Sequence, residues 1–295
     1  MKVGRWFVVV LVTLFVLGAS SLTGCGASDE SADGDSEASG VSGEGSINVE
    51  GSDTIVNMGQ AWAEVYMEEN PDVMISVKGG GSGTGIAALI NGTVDFANAS
   101  RSIKDEEVDE AEGVGVDPVE HKVAIDGIAV IINPGNEITD LSLADLGKIY
   151  RGEISNWKDV GGADTPIIII GRDTSSGTYE YFKEVVVTNE KEEAEYSPEM
   201  LNLASNQAIV DEVKNNAGAI GYVGLGYLTD EIKVAEVDGV AASAETAKDG
   251  SYAISRYLYM YSNGEPTGVL TAYLEWILGA EGQAIATDQG FVPVD

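Results

Sequence analysis

Apolar residues follow strand-like and helix-like spacings in turn from residue 47 onward. Between Ile55 and Glu69 they recur every three or four positions, as on the buried face of a helix, whereas Lys122–Asn133 is almost wholly apolar, as in a strand buried on both faces. Further strands are predicted at Ile47–Val49, Val73–Val77, Val94–Phe96, Pro166–Gly171, Ala219–Val223 and Tyr257–Tyr261, and further helices at Thr84–Asn91, Leu143–Ile149, Thr178–Val187, Gln207–Lys214 and Gly268–Leu278. This alternation predicts an α/β fold with open sheets.

The start of the chain has the pattern of a lipoprotein signal peptide at residues 1–24. Lys2 and Arg5 precede an apolar run that is too short to span a bilayer comfortably, and small residues stand just before Cys25. We expect cleavage before Cys25 and lipidation of this cysteine, which would anchor the protein outside the cytoplasmic membrane. A plain secretory signal with an incidental cysteine is the alternative.

Residues 25–46 are predicted to be a flexible acidic tether. They contain Ser, Gly, Ala, Asp and Glu with almost no large apolar side chain, so burial cannot compensate for the entropy of ordering them. The folded part is therefore expected to begin near Ile47.

The charge and the cysteine count exclude several classes of protein. Lys and Arg number 16 against 49 Asp and Glu, a net charge of −33, so nucleic acids and other polyanions are poor partners. One Cys and one His leave no basis for a disulfide framework, a structural zinc site or most Cys/His catalysis. The single histidine, His121, is expected in an exposed loop. The acidity indicates either adaptation to high salt or simple solubility.

Each half of the chain contains a strand, a glycine-containing loop with Ser-Gly-Thr, and a helix. These loops are residues 79–85 and 171–178. Helix N-termini offer unpaired N–H groups to an anion, and glycine allows close approach to the backbone. An ordinary N-cap is the alternative for either loop alone. The loop at residues 79–85 matches neither a phosphate-binding loop of nucleotide enzymes nor the dinucleotide fingerprint, and the glycines around Ser82 do not form a nucleophile elbow.

Six motifs in order carry a resemblance to a known family. They are Gly51-Ser52-Asp53-Thr54, Gly81-Ser82-Gly83-Thr84-Gly85, Val94 to Arg101, Asp126-Gly127-Ile128-Ala129-Val130, Arg172 to Tyr179 and Gly218-Ala219-Ile220-Gly221-Tyr222. From about Ile47 to the C-terminus, the chain resembles the phosphate-binding proteins of phosphate ABC transporters. The resemblance implies a two-lobed type II periplasmic binding protein fold with two crossing hinge segments. Its lobe 1 would comprise residues 47–127 and 255–295, and its lobe 2 residues 128–254.

The same resemblance implies the residues that would bind phosphate. Arg172 would be the main cationic ligand. Arg101 stands where well-known members of the family have an aspartate that accepts a hydrogen bond from the proton of phosphate. Arg101 could bind phosphate, pair with a carboxylate or lie on the surface. The full set implied is Ser52, Asp53, Thr54, Ser82, Arg101, Asp126, Arg172, Ser176, Gly177 and Thr178.

Because Arg101 cannot accept a hydrogen bond, another residue, an acid, should accept the one from the proton of phosphate. Sulfate lacks this proton, so such an acceptor distinguishes the two anions. Asp53, in the first binding loop, is favoured. Asp126 could equally be a hinge residue that accepts from backbone N–H groups, and Asp173 could orient Arg172 instead of touching the ligand.

A binding protein of this family implies inorganic phosphate and ABC permease subunits as partners, with no catalysis, no cofactor, no metal and a monomeric state. Another tetrahedral oxyanion, such as sulfate or molybdate, is the alternative ligand. A secreted phosphoester hydrolase is disfavoured because one histidine cannot supply a two-metal cluster. A surface adhesion or signalling protein without ligand is the third alternative.

Overall fold

The computed structural model describes residues 45–294. These residues form the strands β1 (Ser46–Gly51), β2 (Met74–Lys78), β3 (Phe96–Ala99), β4 (Pro118–Ile132), β5 (Asp140–Leu141), β6 (Ile168–Arg172), β7 (Leu201–Leu203), β8 (Ala219–Gly224), β9 (Lys233–Val237) and β10 (Ser255–Asn263). The helices are α1 (Asp53–Glu69), α2 (Ser82–Ile90), α3 (Asp105–Gly113), α4 (Leu143–Tyr150), α5 (Gly177–Phe182), α6 (Asn206–Asn215), α7 (Ala244–Lys248), α8 (Val269–Leu278) and α9 (Ala280–Asp288). None of these helices combines the length and apolar character needed to cross a membrane.

The long strand β4 joins the two halves of the sheet. Hydrogen-bonded neighbours follow the order β2-β1-β3-β10-β4-β8-β6-β7, with β9 also against β4. Up to Gly127, β4 pairs antiparallel with β10; from Ile128 onward it pairs with β8. The second connection, at Ile254, lies beside this change of partner, since Ile128 N donates to the Ile254 carbonyl oxygen over 2.8 Å.

Separate apolar cores lie on the two sides of this crossing. On one side, Ile55, Trp62 and Phe96 pack between α1 and the sheet. On the other, Phe182 stacks on Tyr222 with ring centroids 3.9 Å apart, within a core that also contains Tyr150. We call the first part lobe 1 (β1–β3, β10, α1–α3, α8 and α9) and the second lobe 2 (β5–β9 and α4–α7).

The α/β, two-lobed architecture expected from the sequence is confirmed, with one strand order continuous through both lobes. The lobe boundaries stay a prediction. Val292, expected in lobe 1, bridges Ile125 and packs into an apolar cluster with Val223 of lobe 2.

Several local expectations differ from the structure. The helix expected over Thr178–Val187 is α5 followed by a π-helical turn at Lys183–Val187. His121 lies half-buried in β4, where its Nε2 is 2.7 Å from Ser262 Oγ, so the prediction of an exposed loop histidine was wrong. The predicted signal peptide, Cys25 and residues 25–44 of the tether lie outside the described residues.

Candidate anion-binding site

Three helix N-termini meet where the lobes face each other. α1 and α2 begin in lobe 1 after Ser52 and Gly81, and α5 begins in lobe 2 after Ser176. The lobes are in direct contact here, because Thr54 Oγ1 of α1 lies 2.9 Å from Thr178 Oγ1 of α5. The two strand–loop–helix motifs of the sequence therefore do face each other.

Arg172 ends β6 beneath these helices and is 1% exposed. Its Nη2 donates to the Ala204 carbonyl oxygen over 2.8 Å, but its Nε and Nη1 are buried and have no hydrogen-bond partner among residues 45–294. Burial lowers the pKa of Arg172, and Asp53 and Asp173 offset part of that effect. A buried guanidinium with unused hydrogens is costly unless an acceptor joins it. This side chain therefore has the properties of an anion ligand.

The serines around this point supply further hydroxyl groups. Ser52 Oγ is buried without a partner in the described part of the chain, whereas Ser82 Oγ accepts from Ser100 N over 3.0 Å and lies 3.2 Å from Ser100 Oγ. Ser176 Oγ accepts from Thr178 N over 3.2 Å, so it caps α5. Ser100 was not among the residues predicted to bind phosphate, although it stands next to Arg101 in a quoted motif.

Gly177 and Gly81 permit the close approach of the lobes. A Cβ atom on Gly177 would overlap Ser82 Oγ and Ser100 Oγ, and one on Gly81 would overlap Ser175. Gly81 also has a φ of 101°, in the region that favours glycine. Gly83 N donates to the Ser175 carbonyl oxygen over 3.0 Å, so the glycine loop of lobe 1 is bound to lobe 2.

Asp53 reaches across the cleft. Its Oδ2 accepts from the backbone N (2.9 Å) and the Nδ2 (2.8 Å) of Asn206, the first residue of α6. Arg172 Nη1 is 3.4 Å from the same oxygen, without the alignment of a hydrogen bond. The Tyr227 hydroxyl donates to the Asp53 carbonyl oxygen over 2.6 Å. Asp53 thus connects the start of α1 with lobe 2.

The carboxylate of Asp173 is used within its own loop. Its Oδ1 accepts from Ser175 N over 3.0 Å and lies 2.6 Å from Ser175 Oγ. This contact holds Ser175, which in turn touches the glycine loop of lobe 1. The structure therefore places Asp173 next to a lobe-to-lobe contact.

Arg101 forms an ion pair with Glu107 of α3. Its Nη1 and Nη2 donate to the two carboxylate oxygens, each over 2.7 Å, and its Nε is buried with no partner within the residues that the structure describes. Burial is the largest single influence and by itself would raise the pKa of Glu107. The hydrogen bonds from Arg101 and from the Lys104 backbone N, together with the charges of both residues, outweigh it, so the pKa is lowered. Of the three possibilities for Arg101, the structure shows the pairing with a carboxylate.

Asp126 is fully buried at the crossing and pairs with Arg256 of β10, a residue that the sequence did not single out. Arg256 Nε and Nη2 donate to Asp126 Oδ2 over 3.2 and 2.9 Å, and Leu225 N donates to Oδ1 over 3.0 Å. Burial raises the pKa of Asp126, and Arg256 offsets part of the rise. One signal was available: an acid on a buried strand needs a cation, and Arg256 lies in the other crossing segment.

Each of the three arginines at this site thus has an acid beside it: Arg101 with Glu107, Arg172 with Asp53 and Arg256 with Asp126. Within residues 45–294, no group of three or more His, Cys, Asp or Glu side chains is arranged to hold a metal ion. Helix N-termini and the hydrogens of Arg172 that the protein leaves unused are groups here that can interact favourably with an anion.

Comparisons with solved structures agree with this architecture. A phosphate ABC transporter substrate-binding protein from Clostridium perfringens, solved with bound phosphate, superposes with a TM-score of 0.78 at 33% identity, covering 85% of this chain and all of the other. An ABC-type phosphate transport receptor from Vibrio cholerae gives a TM-score of 0.69 at 26% identity over 83% of this chain and 99% of its own.

Sequence comparisons identify the family. The profile of the PBP superfamily domain matches residues 34–281. The phosphate-binding protein PstS of Bacillus subtilis is 34% identical over all of this chain and 95% of its own length, and that of Pseudomonas aeruginosa (strain PAO1) is 30% identical over 96% and 93%. The chain therefore belongs to the PstS family of the PBP superfamily.

Proposed function

We propose that this protein captures inorganic phosphate between its two lobes, outside the cytoplasm, and delivers it to an ABC permease. The observation that carries the proposal is Arg172, fully buried at the meeting point of three helix N-termini with its Nε and Nη1 unused. A tetrahedral oxyanion can accept from these hydrogens and from the surrounding hydroxyl and backbone N–H groups together.

Phosphate is the oxyanion that the family supports. Relatives that match nearly the whole chain are named as phosphate-binding proteins, and the Clostridium perfringens relative was solved with phosphate. The ligands we propose are Ser52, Thr54, Ser82, Arg172, Ser176, Gly177 and Thr178, with Ser100 added from the structure. Asp53, Arg101 and Asp126 would support them through the contacts described above.

Capture requires the lobes to separate and close. We propose that residues 47–127 with 255–295 move against residues 128–254 about the two crossings. The contacts of Asp53 with Asn206 and of Ser175 with the glycine loop join opposite lobes, so they would form on closure. The protein would act as a monomer, since one chain supplies both sides of the cleft.

We further propose that Cys25 carries the lipid that holds the protein at the membrane. This rests on the sequence pattern of residues 1–24 alone. Cys25→Ser should leave the protein outside the membrane or stalled as an unprocessed precursor, because the diacyl group is the anchor. Detergent-phase partitioning checks this, and a variant that still partitions into detergent would contradict it.

Calorimetric titration of the purified mature protein, residues 25–295, with phosphate, sulfate and molybdate tests the function. We expect saturable binding of phosphate at one site per chain and much weaker binding of the other two anions. Equal affinity for sulfate would favour a general oxyanion carrier. Release of inorganic phosphate from a phosphoester by the same preparation would contradict a pure binding role.

A further inference from the structure

Arg256 lies at the centre of the crossing, directly behind the facing hydroxyls of the site. It is 6% exposed, and all three guanidinium nitrogens have protein partners. Nε and Nη2 donate to Asp126, Nη1 donates to the Ser100 carbonyl oxygen over 2.7 Å, and Nη2 also donates to Thr178 Oγ1 over 2.9 Å. Unlike Arg172, it therefore has its hydrogens committed largely to the protein.

We propose that Arg256 is a positioning residue of the anion site, which fixes the hydroxyls of Thr178 and Thr54 as hydrogen donors to the bound anion. The inference rests on the proposed function, because it assigns Arg256 a role in phosphate binding by this same cleft.

A hydroxyl group has a single hydrogen, so a hydroxyl that accepts a hydrogen bond from one partner must direct that hydrogen to another. Thr178 Oγ1 accepts from Arg256, so its own hydrogen must point elsewhere, either to Thr54 Oγ1 at 2.9 Å or toward the anion. If it points to Thr54, the hydrogen of Thr54 is released toward the anion instead. Nη2 also lies 3.5 Å from Thr54 Oγ1. In either arrangement, a charged donor behind the pair directs one hydroxyl hydrogen into the site.

Asp126 keeps Arg256 in this place. The carboxylate holds Nε and Nη2, and it is itself held by Leu225 N of lobe 2. The ion pair therefore fixes the guanidinium group of Arg256 and balances its charge. Arg256 then acts through the two threonines, whereas Arg172 is free to contact the anion directly.

Arg256 also joins the lobes at the ligand. It contacts Ser100 of lobe 1 and Thr178 of lobe 2, and Thr54 and Thr178 come from opposite lobes. Closure would therefore bring Thr178 to a guanidinium that is already oriented by Asp126.

A double-mutant cycle on phosphate affinity tests the role. Arg256→Met should weaken binding by about tenfold or more in the wild-type background, but by less than about threefold in a Thr178→Val background, because the hydroxyl through which Arg256 acts is gone. Thr178→Ser is the matched background, since it keeps the hydroxyl, and there the full loss should return. Titration by tryptophan fluorescence up to millimolar phosphate keeps the weak variants measurable.

Removal of Arg256 alone leaves Asp126 buried and unpaired, which could unfold the chain. The variant Asp126→Asn/Arg256→Met removes the pair together, and it should retain a cooperative thermal transition while still showing the loss that depends on Thr178. Arg151→Met is the control for loss of a buried arginine. Arg151 pairs with Glu153 and the Val187 carbonyl oxygen in lobe 2, away from the cleft, so phosphate affinity should be unchanged.

An equal loss in the Thr178→Val and Thr178→Ser backgrounds would overturn the inference, as would unchanged affinity in the folded Asp126→Asn/Arg256→Met variant. Either result, with a wild-type protein that binds phosphate, leaves the proposed function intact. A wild-type protein that does not bind phosphate would overturn both.

Discussion

At the scale of single residues, Arg172 is the side chain at the site with the most buried donor atoms still available to an anion. Its Nε and Nη1 are buried and have no partners among the residues described, from 45 to 294, while Nη2 donates to the Ala204 carbonyl oxygen. The guanidinium group is therefore oriented before any ligand binds. We expect Arg172→Ala to weaken phosphate binding by about 2–5 kcal/mol, the range for one partner of a buried charged hydrogen-bonded pair. Calorimetric titration measures this loss.

The control for this change is Arg151→Ala, which removes another largely buried arginine outside the cleft. It should leave phosphate affinity unchanged. Equal affinity of the Arg172→Ala and wild-type proteins would remove Arg172 from the site.

Asp53 is the second residue whose role can be separated by substitution. The sequence favours it as the acceptor for the proton of phosphate, whereas its contacts with Asn206 favour a role in closure. If closure is its role, each of the variants Asp53→Asn and Asn206→Ala should weaken the binding of phosphate and the binding of sulfate by the same factor. We expect about tenfold, because one charged hydrogen bond is lost.

Competition titrations of both variants against both anions decide between these roles. If the ratio of phosphate affinity to sulfate affinity changes in Asp53→Asn but not in Asn206→Ala, Asp53 is the residue that accepts the hydrogen bond from the proton of phosphate. A constant ratio in both supports the closing contact.

At the scale of elements, the approach of α5 to α2 depends on a glycine. A Cβ atom on Gly177 would overlap Ser82 and Ser100, which belong to the opposite lobe. The overlap exists only when the lobes are together, so we expect Gly177→Ala to lower phosphate affinity by about a hundredfold or more while the melting temperature of the ligand-free protein stays within a few degrees.

Gly113→Ala serves as the control, because an added Cβ at Gly113 meets nothing within 4 Å. Its affinity should match that of the wild type. A Gly177→Ala protein that binds normally would show that the lobes close on phosphate in a different arrangement.

Element prediction from sequence succeeded where apolar spacing was strong. In α1, Ile55, Met58 and Trp62 lie in the lobe 1 core as their spacing indicates. The spacing could not find α3, because six of its nine residues are acidic and only Ala111 is buried. α3 is joined to its surroundings by the ion pair of Glu107 with Arg101, a residue outside the helix, and by the packing of Ala111 in an apolar cluster.

The candidate site was predictable only where its residues form a local sequence pattern. The loops around Ser82 and Ser176 carry local signatures, and both were found. Asn206 carries no such signature, because its partner Asp53 is far away in the chain. For Arg256 the only signal was indirect: its distant partner Asp126 stands on a buried strand and needs a cation. Only the fold brings these pairs together.

At the scale of the whole molecule, an anion site lies inside a strongly acidic protein. The six acids of the predicted tether precede residue 47, so residues 47–295 carry a net charge of −29. Such a surface repels a free anion at long range, whereas the contacts of the closed cleft act over a few ångströms in a buried setting where salt screens little. Binding must therefore rest on the short-range hydrogen bonds.

The same charge destabilises the compact state through self-repulsion, which salt screens. We expect the melting temperature to rise as KCl increases from about 0.05 M to about 1 M, where the Debye length falls to about 3 Å. A gain of about 2 kcal/mol in the free energy of unfolding would raise the melting temperature by about 4–8 °C in a chain of this size.

The control is the variant Glu110→Gln/Glu112→Gln. Both side chains are exposed, and α3 has no basic residue in its last turn to offset their charges. This variant should melt above the wild type at low salt, and the difference should shrink at high salt. A melting temperature that does not respond to KCl would show that the acidic surface serves solubility and is not a requirement for a saline medium.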